Sequence, residues 1–342
     1  MSRRGWWLFA AMSLIWGVPY LLIKVAVGGV APPVLVLARV GIGAALLLPI
    51  AIRRRELAPL LPHWRWVGLF ALVEIIAPWL LLSDAETRLS SSLSGLLIAS
   101  VPILVAVLGR LTGGQDRLTA VRWAGLLIGL GGVGLLVARG GAHGGAGSVA
   151  EVLLVAICYA IGPLVAARKL SELPPLGLTS ACLAFAAIVY APIAAVTWPS
   201  ASPPGKVIAA LCALAVICTA IAFLIFFALI AEVGPARASV ITYINPAVAV
   251  ALGVLVLSER LTLTMSIAFV AILGGSVLAT RTARRPAEGA GAAGTLASGA
   301  GASSSGPYVP VAAGTGVSVA DSSGTGQMAA TGYRSAPSGQ PD

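Results

Sequence analysis

Charge is scarce in this sequence: only 10% of its 342 residues are Asp, Glu, Lys or Arg, where soluble domains carry roughly a quarter. Histidine is nearly missing. His63 and His143 stand apart, with no companion at metal-ligand spacing, so no metal centre is expected. The four cysteines, Cys158, Cys182, Cys212 and Cys218, all lie inside apolar runs and match no zinc pattern. They read as small buried hydrophobes rather than as a disulfide or ligand set. The Gly-rich run from Gly140 to Gly147 is not followed by Lys and Ser or Thr, so it is no phosphate loop. The stretch Gly129 to Gly134 matches a dinucleotide pattern only formally, because it lies inside an apolar run with no preceding strand. No cofactor is expected.

What is abundant is apolar. Hydrophobic residues make up 58% of the chain and mean hydropathy is +0.97. A water-soluble chain of this length could not cover so much apolar surface with so little polar rind. A lipid bilayer covers it directly and is the partner the composition calls for. The net charge of +10 does not indicate nucleic acid, because the basic residues sit in short segments between apolar runs rather than on one folded face.

The apolar runs predict ten membrane-spanning helices: 6–27, 33–52, 64–83, 91–110, 119–138, 149–168, 176–197, 207–231, 236–257 and 263–281. About 20 helical residues cross the hydrocarbon core, and a lipid-facing backbone must satisfy its own hydrogen bonds, which selects helix over open strand. The first run reads as an uncleaved signal anchor. Arg3, Arg4, Arg53, Arg54, Arg55, Arg65, Arg110, Arg117, Arg122, Arg168, Lys169, Arg281, Arg284 and Arg285 fall on one side of such a bundle. Arg88, Arg139, Lys206 and Arg260 fall on the other. The positive-inside bias therefore predicts a multi-pass protein of the cell (inner or plasma) membrane with both termini cytoplasmic. From about residue 282 to Asp342 the chain is dominated by Gly, Ala, Ser and Pro, with few large apolar residues, a composition that predicts a disordered cytoplasmic tail.

Sliding the chain on itself by 141 to 144 residues brings it into register. Pro32-Pro33 falls on Pro174-Pro175, Pro102 on Pro246, Asp116-Arg117-Leu118-Thr119 on Glu259-Arg260-Leu261-Thr262, and Gly131-Gly132 on Gly274-Gly275. Trp16 meets Tyr159. Two repeats follow, residues 5–139 and 149–281, each of five helices. An odd number of helices inverts the second repeat in the membrane, an architecture of secondary transporters with the substrate site near the midplane.

Ile15-Trp16-Gly17 with Lys24, Pro33 with Arg39, and Asn245-Pro246 followed by Leu257-Ser258-Glu259-Arg260-Leu261-Thr262 and Gly274-Gly275 resemble the EamA repeats of the drug/metabolite transporter superfamily. The resemblance spans residues 5 to 281. It departs from the usual pattern at Gly114-Gln115-Asp116-Arg117, where the family often has Gly-Glu-Arg, and at Tyr159, where a Trp is usual. It implies ten-helix secondary transport, often efflux, of a metabolite, amino acid or drug, with protons as a candidate coupling ion. A homodimer is compatible with it.

Glu74 lies about ten residues into the third span, the one acid at mid-depth; its equivalent in the other repeat is Ile217. It is either a coupling or substrate-recognition group, or a hydrogen-bonded structural acid. Arg39, in the second span, is a gate or an ion-pair partner of Glu74, or structural. Lys24 reads as snorkelling to the interface. Trp16 and Tyr159, flanked by Gly17 and Pro19 and by Gly162 and Pro163, are candidate cavity walls beside bendable helix segments. Pro102 and Pro246 are further hinge candidates. Asn245, the single Asn of the chain, and nearby Tyr243 are candidates for substrate contact or for an interhelical hydrogen bond. An intramembrane enzyme would need a nucleophile–base pair within the spans. A non-transporting receptor or assembly factor would draw no benefit from an inverted repeat.

Overall fold

The computed structural model describes residues 1–111 and 119–280, and every regular element among them is helical. Among the described residues, nine helices are long and apolar enough to cross a membrane: α1 (Arg3–Ala26), α2 (Pro32–Arg53), α3 (Ala58–Arg88), α4 (Ser91–Leu108), α5 (Ala120–Ala138), α6 (Gly145–Lys169), α7 (Pro175–Val196), α8 (Gly205–Val233) and α10 (Leu263–Thr280). Between the last two lies α9 (Ile241–Leu257), apolar and 17 residues long, at the short end of the range that spans a bilayer. The protein is an all-α, multi-pass membrane protein.

The order matches the sequence reading; the ends differ. The largest departure is α3, expected over 64–83. It begins with a tight turn at Ala58–His63 and runs on to Arg88, because Trp79, Leu82 and Ala85 keep an apolar face turned to the core past the first polar residues. Glu86 and Arg88, which the expected boundary left in a loop, are therefore helical. The glycine run from Gly140 to Gly147 is largely helical as well. Within Ala120–Lys169 only Gly145 leaves helical geometry, at φ 79°, a conformation Gly adopts without penalty. The tail from residue 282, and Asp116-Arg117, lie outside the described residues.

Without a hydrophobic force between helices in lipid, close backbone approach and interhelical hydrogen bonds hold the bundle. Gly125 and Gly129 of α5 and Gly275 of α10 supply the first. A Cβ on Gly275 of α10 would come 2.5 Å from the Gly129 nitrogen, and one on Gly125 of α5 would come 2.5 Å from the Ala279 nitrogen, so the two helices meet backbone to backbone. Helix α2 packs along α7 and α4 along α9, while α3 packs on α6 and α1 on α8. Each of these last two contacts is the repeat image of the other.

Helix ends are tied across the bundle. Glu259 accepts hydrogen bonds from the backbone nitrogens of Ser91 (2.7 Å) and Ser92 (2.9 Å) and from both hydroxyls, so it caps α4 from the α9–α10 connection and satisfies donors a helix start leaves free. Glu56 accepts from Gly177 nitrogen at the start of α7 (2.9 Å), and Arg122 Nε donates to the Ala279 carbonyl at the end of α10 (3.0 Å). At one end of α3, Arg88 pairs with Asp84 and Glu151 and donates to Ser148.

Candidate functional site

Three local irregularities shape the centre of the bundle. Helix α1 breaks at Trp16–Val18 and restarts at Pro19, whose missing N–H suits a first helical position. A π turn occupies Leu72–Ile76 in α3 and another Val216–Ile221 in α8. Such turns add a residue to the helical circuit, release carbonyls, and occur often at functional sites. The released groups are satisfied locally: the Tyr190 hydroxyl donates to the Ile76 carbonyl (2.6 Å), and the Thr219 hydroxyl donates to the Leu214 carbonyl (2.9 Å). The two π turns start at Leu72 and Val216, a spacing that sets Cys218, rather than Ile217, as the partner of Glu74.

Around these irregularities is a cavity of about 170 Å³. Its wall is built in pairs. Trp16 and Tyr159, Glu74 and Cys218, and Trp79 and Phe223 all line it, and so do Ile98 with Thr242, Val101 with Asn245, and Pro102 with Pro246. Each pair is separated by 143 or 144 residues in the sequence. Both repeats thus contribute equivalent positions to one central space.

The charges break that equivalence. Glu74 and Arg39 line the cavity, and both come from the first repeat. Glu74 Oε2 is buried without a hydrogen-bond partner. Arg39 is buried, its Nε donates to Thr219 Oγ1 (3.0 Å), and its guanidinium lies 3.6 Å from the centre of the Trp79 ring. The Arg39–Glu74 ion pair, one of the readings offered for Arg39, is not formed: the two charged groups do not come within 4.0 Å of each other. The indole face and the Thr219 hydroxyl hold the cation instead.

Trp16 sits against Phe226, with ring centres 4.6 Å apart, and edge-on to Phe223 at 6.1 Å. Asn245 lines the cavity and, with its amide nitrogen turned inward, donates to the carbonyls of Ser13 and Ile241, each at 3.0 Å. It thereby ties α9 to the end of the first α1 segment. Gly17 allows that approach, since a Cβ there would come 3.1 Å from the Asn245 carbonyl oxygen and run into Val248. Pro19 lines the cavity, and Pro163 lies inside α6 one residue past Gly162.

Two candidates lie elsewhere. The Tyr243 hydroxyl is bonded to Thr280 Oγ1 on α10 (2.7 Å). Lys24 Nζ donates to the Glu86 and Leu89 carbonyls, both at 2.7 Å, so it caps the end of α3. Conversely, Tyr20, Trp79, Phe223 and Cys218 line the cavity without having been singled out from the sequence. Repeat spacing applied to Glu74 and to the aromatic that follows it five positions later was the signal available for three of them.

The profile of the EamA-like transporter family matches residues 3–138 and again 148–281. The chain belongs to the EamA-like transporter family. It is therefore a membrane transporter. Among curated proteins it is similar to the "uncharacterized inner membrane transporter YedA" of Escherichia coli K12, at 27% identity over 248 residues covering 71% of this chain and 79% of that one. The YedA proteins of E. coli O6:H1 and O157:H7 match equally. A crystal structure superposes with a TM-score of 0.58 at 21% identity, covering 82% of this chain and 97% of the other, which supports the shared fold.

Proposed function

We propose that the chain is a secondary active transporter that exports a small organic molecule across the cell membrane by alternating access between two inverted five-helix repeats, residues 5–139 and 149–281. The paired wall of the central cavity carries this reading. When equivalent positions of two inverted repeats surround one site, exchanging their conformations opens that site to the opposite side at little cost in energy. Both termini lie in the cytoplasm in this arrangement, as the basic residues require.

The first repeat supplies what the second lacks. Arg39, held flat on Trp79, presents a cation to a carboxylate or other anionic group of the substrate. The aromatic walls accept its apolar body. Glu74 takes either a substrate ammonium or the proton whose gradient drives export.

Flux in proteoliposomes under an imposed pH gradient tests this, using the substrates that metabolite profiling of a deletion strain against an overexpressing strain reveals. Wild type should move substrate against its gradient. Glu74→Gln, equal in size but not titratable, should lose pH-driven flux while folding and abundance stay normal. Wild-type pH dependence in that variant would remove Glu74 from coupling. A wild-type protein that binds substrate but moves none would overturn transport at this site.

A further inference from the structure

A second buried acid lies outside the cavity, on the stretch of α3 that hydropathy left in a loop. Glu86 is 0% exposed, and neither of its carboxylate oxygens has a hydrogen-bond partner. A structural acid at a helix end ordinarily has donors; in this bundle Glu56 and Glu259 both do. Glu86 has none. Charged, it would be a bare carboxylate in a dry site, a state folded proteins avoid by pairing the group or leaving it neutral.

A counter-charge waits beside it. Lys24 on α1 is bonded to the backbone carbonyl of Glu86 itself and to that of Leu89, and its ammonium makes no ion pair within 4.0 Å of the Glu86 side chain. The charged groups that act on Glu86 are Lys24 and Glu259, and the Glu259 oxygens are already taken up by Ser91 and Ser92. Asp84 and Glu151 both pair with Arg88, on the more exposed side of the helix. Leu82, one turn before Glu86 on α3, is a cavity residue. The site is thus adjoined to the substrate space without being part of it.

We infer that Glu86 and Lys24 form a second ionisable site: a proton-binding carboxyl with a switchable counter-ion that ties α1 to the end of α3. In the tied state the carboxyl keeps its proton and the Lys24 ammonium caps the last carbonyls of α3. When this end of the bundle opens to water, the Glu86 O–H bond breaks and the proton leaves to solvent. The ammonium then exchanges the Glu86 and Leu89 carbonyls for the new carboxylate, and no other bond changes. Proton occupancy therefore decides whether Lys24 of α1 caps the last carbonyls of α3 or pairs with the Glu86 carboxylate. This use of the proton rests on the transport reading above; the site itself does not.

Dicyclohexylcarbodiimide, which modifies protonated carboxyls in apolar surroundings, provides a readout independent of flux. The full-length protein in lipid vesicles, treated over a pH series and mapped by peptide mass, should carry an adduct on Glu86 that falls away as pH rises. In Lys24→Met the carboxylate loses its counter-charge, so the adduct should persist to higher pH. In Glu86→Gln that adduct should vanish while the protein remains folded, and the pH profile of transport should shift. Absence of an adduct on Glu86 at every pH, labelling that does not vary with pH, or the same profile in Lys24→Met would each overturn the site. Failure of wild-type flux with this labelling pattern intact would count against the transport reading instead.

Discussion

The Gly162 backbone of α6 lies directly against the carboxylate of Glu74 on α3, so that a methyl group added to Gly162 would run into Glu74 Oε2 and come 3.2 Å from its Cδ. The glycine beside the mid-membrane acid is there to make room for it. Its position equivalent in the other repeat is Pro19, where Cys218 needs no such clearance.

Gly162→Ala is therefore expected to destabilise the protein through overpacking by about 1–3 kcal/mol and to displace the Glu74 carboxylate. Adding Glu74→Ser should recover most of the stability, because the shorter side chain vacates the space. Thermal unfolding of the two single variants and the double variant in detergent checks this; additive losses would mean the two positions do not touch.

Arg39→Lys keeps the charge and loses the planar group that lies on Trp79 while bonding Thr219. The ring contact is an interaction of about 0.5–2 kcal/mol, and Lys cannot reproduce the flat fork. The expected result is a rise of severalfold or more in KM for an anionic substrate, with membrane abundance unchanged. Equal KM values would place Arg39 outside substrate recognition.

Glu259→Gln halves the acceptor capacity of the cap on α4 and removes its charge. Losing a helix cap costs about 0.5–2 kcal/mol, so unfolding should begin several degrees lower. Asp, one methylene shorter, should recover little, because the carboxylate must reach two consecutive nitrogens. A Gln variant as stable as wild type would show that the Ser91 and Ser92 hydroxyls suffice for each other.

Orientation is open to direct labelling. In a background lacking the four native cysteines, a Cys placed at Ser202, exposed in the α7–α8 connection, should react with an impermeant thiol reagent in intact cells. One placed at Ala58, exposed at the start of α3, should react only after permeabilisation. The opposite pattern would invert the assigned topology.

The cavity was largely legible in the sequence because its walls are repeated. Trp16 with Tyr159 and Pro102 with Pro246 mark the same places twice, and the eye can find them without coordinates. Depth along a helix was legible as well; azimuth was less so. Tyr243 and Asn245 sit at the same depth, but two residues turn a helix by about 200°, and Tyr243 faces Thr280 while Asn245 faces the cavity. The π turns had no signature in the sequence. Each shifts the face of everything after it by one residue, which is why Trp79 and Phe223 were not expected in the wall. Glu86 was hidden for another reason: hydropathy ends a span where polar residues start, whereas the helix ends where its buried face does.

The backbone contact between α5 and α10 has a consequence for how the chain is made. Gly125 and Gly129 form a groove shaped for one partner, α10, and that partner is synthesised only after α6 to α9. Until Gly275 and Ala279 arrive, the groove has only lipid to fill it, and lipid tails cannot follow a backbone that closely. The α5–α10 contact therefore waits on α10, so that a product of synthesis that stops before α10 carries an unfilled seam on α5.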